Sequence, residues 1–414
     1  MSFTATVLQI VPALNGGGAE RTTLEMARAI VAAGGRALVA TEGGRLEGDI
    51  EKAGGEIFHL PAASKNPVVM RANAGRLARL ARAQGVDILH ARSRAPAWSA
   101  LWAAAALRRM GAPVKTVGTY HGAYRAQSAL KRFYNSSLVR GDLVIANSLF
   151  TEAAVLAQFA PPREKLRTIP RGADLDYFNP DRVDAARVRA LAGRWGFAGS
   201  DNGAPSGGLR SAVAGRAIKI LAPGRLTPWK GQEDLVRALA LIASGARAGG
   251  PLNGAGAAVK FAVAFCGGAR GTESFTRLLR DAITTNGLDT VAKLVGDCED
   301  MPAAYAWSDI VVAPSRRPEA FGRVAAEAGA MGRLAIACDH GGARETIIDG
   351  ETGLLTSPSD PEALADAILD SVKMGHQARA AMGAAAKKRV GDNYSVAAMC
   401  DATLFAYKEL LGTG

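Results

Sequence analysis

Short apolar runs recur along this chain, each followed by a stretch in which apolar residues return with the period of a helix. In the first part the runs TVLQIVP (6–12), RALVAT (36–41), EIFHLP (56–61), DILHAR (87–92), VKTVGTYH (114–121) and DLVIANS (142–148) read as strands. Helices are predicted from about Glu20 to Ala33, from about Val68 to Gln84, from Ala95 onward and near 126–140. Strand and helix in alternation imply a parallel sheet covered on both faces.

The rhythm restarts at AIKILAPGRL (217–226) and runs through a helix at 230–243, KFAVAFCGG (260–268), a helix at 272–286, VAKLVG (291–296), DIVVAPS (309–315), a helix after Gly322 and LAIACD (334–339). Two doubly wound units are therefore expected, with RTIPRGADLDYFNP (167–180) as a hinge. The expected division is a first domain at 1–172, a second at 173–392, and an amphipathic helix at 393–414 crossing back to the first. Ligands of such sheets bind beyond the carboxyl ends of the strands, so two units facing across a cleft would place the site there. Two glycine-rich segments, 196–216 and 243–258, read as flexible surface loops without chemistry.

At 414 residues the chain is longer than one core usually serves, which agrees with two domains. The longest apolar stretch, APAWSALWAAAAL (95–107), ends at Arg108 and Arg109 and reads as a buried helix, not a membrane span. The N-terminus is patterned as a strand without a basic leader, so a cytoplasmic location is expected. Cys266, Cys298, Cys338 and Cys400 are scattered and suggest neither a zinc site nor a disulfide framework. The net charge of +12 is unevenly placed: residues 1–178 hold 23 Lys and Arg against 13 Asp and Glu. That half would be drawn to an anionic partner.

Three stretches carry candidate chemistry. In PEAFGRVAAE (318–327), Glu319 follows a strand end, Phe321, Gly322 and Arg323 occupy the expected first helical turn, and Glu327 lies about one turn further. Free amides at such a turn favour a phosphate, and each carboxylate can accept from two neighbouring hydroxyls. A sugar nucleotide supplies both kinds of group. In GRLTPWKG (224–231), Arg225 and Lys230 stand where they could clamp a diphosphate. In NGGGAERTTLEMA (15–27), Gly16, Gly17 and Gly18 allow close approach of backbone to a ligand at a helix start.

These stretches, in this order, resemble the retaining glycosyltransferases of family 4, over nearly the whole chain. Glu319 and Glu327 match the family's E-x7-E signature, Arg225 and Lys230 its diphosphate clamp, and Gly16 to Gly18 its N-terminal glycine loop; HGAY (121–124), IPRGADLDYF (169–178) and GGARETIIDGETGLL (341–355) match further. The resemblance implies an α/β fold of GT-B type, with two Rossmann-like domains. It further implies a nucleotide-sugar donor held by the second domain, a saccharide or lipid-linked acceptor held by the first, and no cofactor or metal. Carried over by position, Glu319 would contact the sugar hydroxyls, Glu327 the ribose, and the backbone at Phe321 and Gly322 the sugar and phosphate. Arg225 and Lys230 would steady the leaving diphosphate, and His121 would approach the sugar from the first domain. Arg171 stands where many relatives have Asn, and Arg323 where the residue is often aliphatic; Arg323 would add a donor contact or face solvent.

Competing readings have weaker support. Asp174-Leu175-Asp176 matches the D-x-D of metal-dependent transferases but lies in the expected hinge. A nicotinamide dehydrogenase is disfavoured because Arg21 stands where the third small residue of the fingerprint belongs. A nucleic-acid binder would use the positive charge but leaves the glutamate and lysine motifs unexplained. For the acceptor side, Arg76, Arg79 and Arg82 beside Leu77 and Leu80, with Lys131 and Arg132 near Phe133, suggest attachment to an anionic inner-membrane surface and a role in lipopolysaccharide or glycolipid synthesis. The base of the donor would be read near Val295 to Asp300, by backbone contacts that carry no code in the sequence.

Overall fold

The central apolar runs form strands buried on both faces, the condition that parallel pairing imposes, while the runs at the sheet edges are only partly buried. The computed structural model of the chain describes residues 3–124, 126–197, 217–246, 260–268 and 271–413. Of the glycine-rich segments, 198–216 and 247–258 lie outside the described residues. The chain divides into two compact units, Met1–Arg171 with Val396–Gly414, and Gly172–Ser395.

The first unit holds β1 (Thr6–Ile10), β2 (Arg36–Thr41), β3 (Glu56–His59), β4 (Ile88–Ala91), β5 (Lys115–Tyr120), β6 (Leu143–Ala146) and β7 (Leu166–Thr168). They pair in the order β3-β2-β1-β4-β5-β6-β7, parallel throughout. The order reverses direction at β1 and β4, so the loops after these two strands flank the switch point where ligands of open sheets bind. Alternate residues of β1 serve opposite cores: Leu8 and Ile10 pack with the helices Pro67–Gln84 and Arg94–Arg109, while Val7 joins the helices Gly18–Ala32 and Val396–Leu411.

The second unit holds β8 (Ile218–Pro223), β9 (Phe261–Cys266), β10 (Ala292–Gly296), β11 (Ile310–Ala313), β12 (Leu334–Cys338) and β13 (Leu354–Thr356). These form a parallel sheet in the order β10-β9-β8-β11-β12-β13. Its switch point lies between β8 and β11. Each is therefore a Rossmann-like unit, as the alternation implies.

Some expected boundaries change. The segment 167–180 is not wholly a hinge, because Leu166–Thr168 adds an edge strand beside β6. The helix expected near 126–140 is confined to Ala129–Asn135 and tightens into a 3-10 turn at Ser136–Val139. In the D-x-D segment, the Asp174 carboxylate accepts from the backbone of Asp176 and Tyr177 at 3.1 Å each, and Asp176 pairs with Arg182 at 3.2 Å. Asp174 is thus spent on the turn, while Asp176 is an exposed surface partner of Arg182.

The final helix, Val396–Leu411, belongs to the first unit, and a polar contact locks it there. Tyr407, fully buried, hydrogen-bonds Nδ1 of the buried His90 on β4, whose Nε2 meets Thr119 Oγ1 at 2.6 Å. Burial first, then the Arg92 charge, hold His90 well below the ordinary imidazole range, so it stays neutral. Tyr407→Phe strips a buried ring nitrogen of its partner and is expected to destabilise the first unit by about 1–3 kcal/mol. A denaturant midpoint equal to that of the native chain would contradict the role given to this contact.

Candidate functional site

Two loops at the switch point of the second unit are stitched together. Gly231, in the loop after β8, has φ +71°, and a Cβ there would lie 1.8 Å from the Pro314 carbonyl in the loop after β11. Only glycine permits that approach. The Arg316 amide donates to the Trp229 carbonyl at 2.8 Å, and its guanidinium holds Asp234 through bonds of 2.7 and 2.5 Å and Glu233 at 3.2 Å. The lysine of one loop is thereby fixed opposite the glutamate of the other.

Lys230 Nζ meets Glu319 Oε1 at 2.8 Å, and Ser315 Oγ donates to the same oxygen at 2.5 Å. Oε2 remains open for a ligand hydroxyl. Burial pushes the Glu319 carboxyl up, but Lys230, then Ser315 and the nearby His340, outweigh it and leave it below the ordinary value. The group is ionised and poised as an acceptor. His340, on the loop after β12, has both ring nitrogens buried without a partner among the described residues. It lines a recess with Ser315, Glu319 and Gly322. A second recess is lined by Lys230, Gln232 and Glu319 among others.

Glu327 lies on the helix Arg323–Ala330 and is held by its own partners. Tyr305 Oη donates to Oε2 at 2.8 Å, and Arg323 Nε reaches Oε1 at 3.4 Å. Burial, then the Glu327 charge, raise the Tyr305 phenol well above its ordinary value, so it stays a donor. Arg323 therefore does not simply face solvent: it braces Glu327. The helix begins at Arg323, directly after Gly322 as expected, but Gly322 is its N-cap at φ +77°, so Phe321 and Gly322 precede the first turn instead of forming it. Phe321 is outside the helix and 2% exposed, so it offers backbone, not ring, to a ligand. Gly341 and Gly342 press against this turn, the Gly342 amide donating to the Glu319 carbonyl at 2.9 Å, and a Cβ on Gly342 would meet Phe321 at 2.4 Å. Arg225 is exposed on the same rim as Lys230, and its carbonyl accepts from Gln232 Nε2 at 3.0 Å.

The segment expected to meet the base is braced as well. Asp300 receives both Nε and Nη2 of Arg187, at 2.5 and 2.6 Å, and caps the helix Met301–Trp307.

In the first unit, Gly17 caps the helix Gly18–Ala32, and its amide donates to Glu20 Oε2 at 2.8 Å. Glu20 thus offsets part of the positive helix start. Cβ atoms on Gly16 and Gly18 would lie 2.3 Å from Arg45 Nη2 and 2.5 Å from Arg171 Nη1. His121, just past β5, hydrogen-bonds Arg171 through Nδ1, and its Nε2 is buried without a partner among the described residues.

The motifs thus fall on the loops where two Rossmann-like sheets bind ligands, and comparison with known proteins supports the same conclusion. Residues 16–177 match the model described as Glycosyltransferase Family 4, and residues 210–389 that of Glycosyl transferases group 1. A glycosyltransferase of Rickettsia africae superposes with a TM-score of 0.84 at 31% identity, over 99% of this chain and 100% of its own. The chain belongs to glycosyltransferase family 4. Its two units are the Rossmann-like pair of the GT-B fold. Anabaena HepE, solved with UDP-glucose, shares that fold at 21% identity and a TM-score of 0.77, over 98% of this chain and 99% of its own. A GDP-mannose-dependent alpha-(1-6)-phosphatidylinositol monomannoside mannosyltransferase of Mycolicibacterium smegmatis is 29% identical over 65% of this chain. The match spans 62% of that relative's length.

Among this family-4 chain's site residues, Ser315, Arg316, Asp234, Tyr305 and His340 were not foreseen. Only His340 carried a local signal, since it directly precedes the Gly341-Gly342 pair. The ion pair generates a prediction. In the native chain the depressed Glu319 value means that its stabilisation is present above the ordinary carboxylate range and is lost as pH falls through the lowered value. Lys230→Met removes the chief opposing charge, so burial should raise the carboxyl and reverse the sign: the variant should lose stability as pH climbs above the ordinary range. At neutral pH the loss should be about 2 kcal/mol, less than for a fully buried pair because both side chains keep some solvent contact. Melting curves of the two proteins between pH 4.5 and 7.5 that run parallel would contradict this.

Proposed function

We propose that this family-4 protein is a retaining, metal-independent glycosyltransferase that moves a hexose from a nucleotide-sugar donor to a saccharide or lipid-linked acceptor. The observation that carries the reading is the Lys230–Glu319 pair at the switch point of the second unit, with an ionised acceptor and a fixed cation side by side. A nucleoside diphosphate sugar has the two complementary groups, a sugar diol for Glu319 and a diphosphate for Lys230 and Arg225. Glu327, braced by Tyr305 and Arg323, is oriented to accept from the ribose.

Sugar transfer builds positive charge at the anomeric carbon and negative charge on the leaving phosphate. Lys230 and Arg225 would oppose the second of these, mainly in the transition state, and need no reorganisation because the lysine is already held. Retention follows if the acceptor attacks from the face the diphosphate leaves, its proton passing to a phosphate oxygen. Glu319 then binds sugar and never becomes a nucleophile.

Relatives named for phosphatidylinositol monomannoside and for inositol 3-phosphate favour a phosphorylated or lipid-linked acceptor, which would suit cell-envelope synthesis, with lipopolysaccharide precursors as one class. Attachment to an anionic inner leaflet would suit such an acceptor. Arg76, Arg79 and Arg82 are exposed, but Leu77 is buried in the first unit's core and cannot insert. The apolar contact would come instead from Leu130 and Phe133, 78% and 54% exposed on the helix Ala129–Asn135 beside Lys131 and Arg132. No helix among the described residues is long and apolar enough to cross a membrane.

Screening GDP-, UDP- and ADP-sugars for thermal stabilisation should reveal one preferred donor, and with it transfer should proceed in EDTA. Lys230→Ala and Arg225→Ala should each lower kcat by about a hundredfold or more, as loss of one preorganised donor does. Turnover close to native in both variants would refute the assigned roles. Separately, the chain should co-sediment with anionic vesicles at low salt, and Leu130→Glu with Phe133→Ala should weaken that binding at least about tenfold, since two buried apolar side chains are lost. Equal binding of both proteins would remove the helix Ala129–Asn135 from the membrane contact.

A further inference from the structure

Arg171 closes the first unit's chain before Gly172 and stands where the family resemblance leads one to expect asparagine. It is 8% exposed. Two close approaches fix its guanidinium: Nη2 contacts His121 Nδ1, and Nη1 lies beside Gly18, where a Cβ would come within 2.5 Å of it. Gly18 is thus needed for the arginine to reach the histidine over the helix start.

The chemistry of the pair admits one arrangement. A guanidinium carries five N–H donors and no acceptor, and it keeps its proton. His121 Nδ1 must therefore accept, and in a neutral ring the hydrogen is then on Nε2. Nε2 is buried and has no partner among the described residues, so a polarised N–H is left with no acceptor there.

We propose that Arg171 is a positioning residue that fixes His121 as the neutral Nε2–H tautomer, so that Nε2 presents a hydrogen-bond donor to a hydroxyl or phosphate oxygen of the sugar substrate. The role toward substrate rests on the transferase reading above; the tautomer does not. The surroundings keep the ring neutral: burial dominates, and the charged or titratable groups facing it are Arg171, Arg92 and His90, all of which disfavour a second proton. Tyr124, whose ring side chain is itself held protonated by burial, bonds the His121 backbone and adds no negative charge.

The proposal also accounts for the departure from asparagine. Both residues can supply an N–H toward the ring, but only the arginine adds a fixed charge that opposes protonation. A positioned histidine in this chain should therefore be insensitive to pH over a range in which a free imidazole, with its value of about 6.5, would titrate.

The test is nitrogen NMR of the full chain labelled at histidine. In the native protein His121 should show a protonated, pyrrole-type Nε2 and a bare, pyridine-type Nδ1 from pH 5.5 to 8.5. Arg171→Met should make the ring titrate within that range or populate the other tautomer, while Arg171→Lys, which retains a cationic donor, should restore the native pattern. With the preferred donor sugar, kcat/KM should fall about tenfold in Arg171→Met, the worth of one ordinary hydrogen bond, and recover in Arg171→Lys. A protonated Nδ1 or an ordinary titration in the native chain overturns the proposal even if Arg171→Met fails to fold. So does an Arg171→Met spectrum identical to native. Absence of transfer with every nucleotide sugar, alongside the expected spectra, would instead count against the transferase reading alone.

Discussion

The second unit is organised around one ion pair between neighbouring loops. Lys230 and Glu319 come from turns after β8 and β11, the two strands between which the chain changes direction in the sheet. Strand order creates a gap there between loops that turn to opposite sides, and the gap would fill with water or collapse unless something spans it. Here Gly231 against Pro314 sets the spacing, and Arg316 holding Asp234 and Glu233 maintains it. The ion pair lies at the edge of this brace, with both side chains mostly buried. A charged pair with this much burial adds little net stability, because its attraction is spent on desolvation. Its retention makes better sense as preparation: the glutamate is held ionised, and both side chains are oriented before a ligand arrives.

The same logic extends to the supporting side chains. Ser315 takes one oxygen of Glu319 and leaves the other, while Tyr305 and Arg323 take both oxygens of Glu327. Rotamer freedom is removed before a ligand arrives, which lowers the entropy lost on binding. Glycines act where backbone must touch backbone. Gly341 and Gly342 lie against Glu319 and Phe321, and side chains there would lift the acidic turn away from His340 and the recess.

How far the sequence discloses this depends on the distance over which each feature is determined. Strands such as β8 and β11 were visible because burial on both faces demands continuous apolar runs. The edge strands β7 and β13, three residues each, carry too little pattern to stand out from their loops. The helix Gly375–Asn393 buries Arg379, Gly383, Ala386 and Val390, a face at helical spacing on which only the last two are apolar, too few to mark an apolar period. Glu319, Lys230 and the glycine loop were legible because their chemistry is local to a turn. Their partners were not: Asp234 and Arg316 are 82 positions apart, Arg171 and His121 50, and nothing near either residue announces the other.

The two units solve the problem of a polar site in opposite ways. In the second, charge is balanced by pairing, acid against base, within hydrogen-bond distance. In the first, Arg92, His90, His121 and Arg171 crowd behind the switch point, and the histidines respond by remaining neutral. That choice has a consequence for recognition. A neutral imidazole offers directional hydrogen bonds without the desolvation penalty of a buried cation, and with Nδ1 already engaged it can present only a donor. A site of the kind proposed would discriminate by the geometry of oxygen atoms more than by net charge, as the recognition of sugars requires. The surplus positive charge of this half is then free to act elsewhere, on the exposed face of the helix Pro67–Gln84, where Arg76, Arg79 and Arg82 remain in water and attract anions at long range.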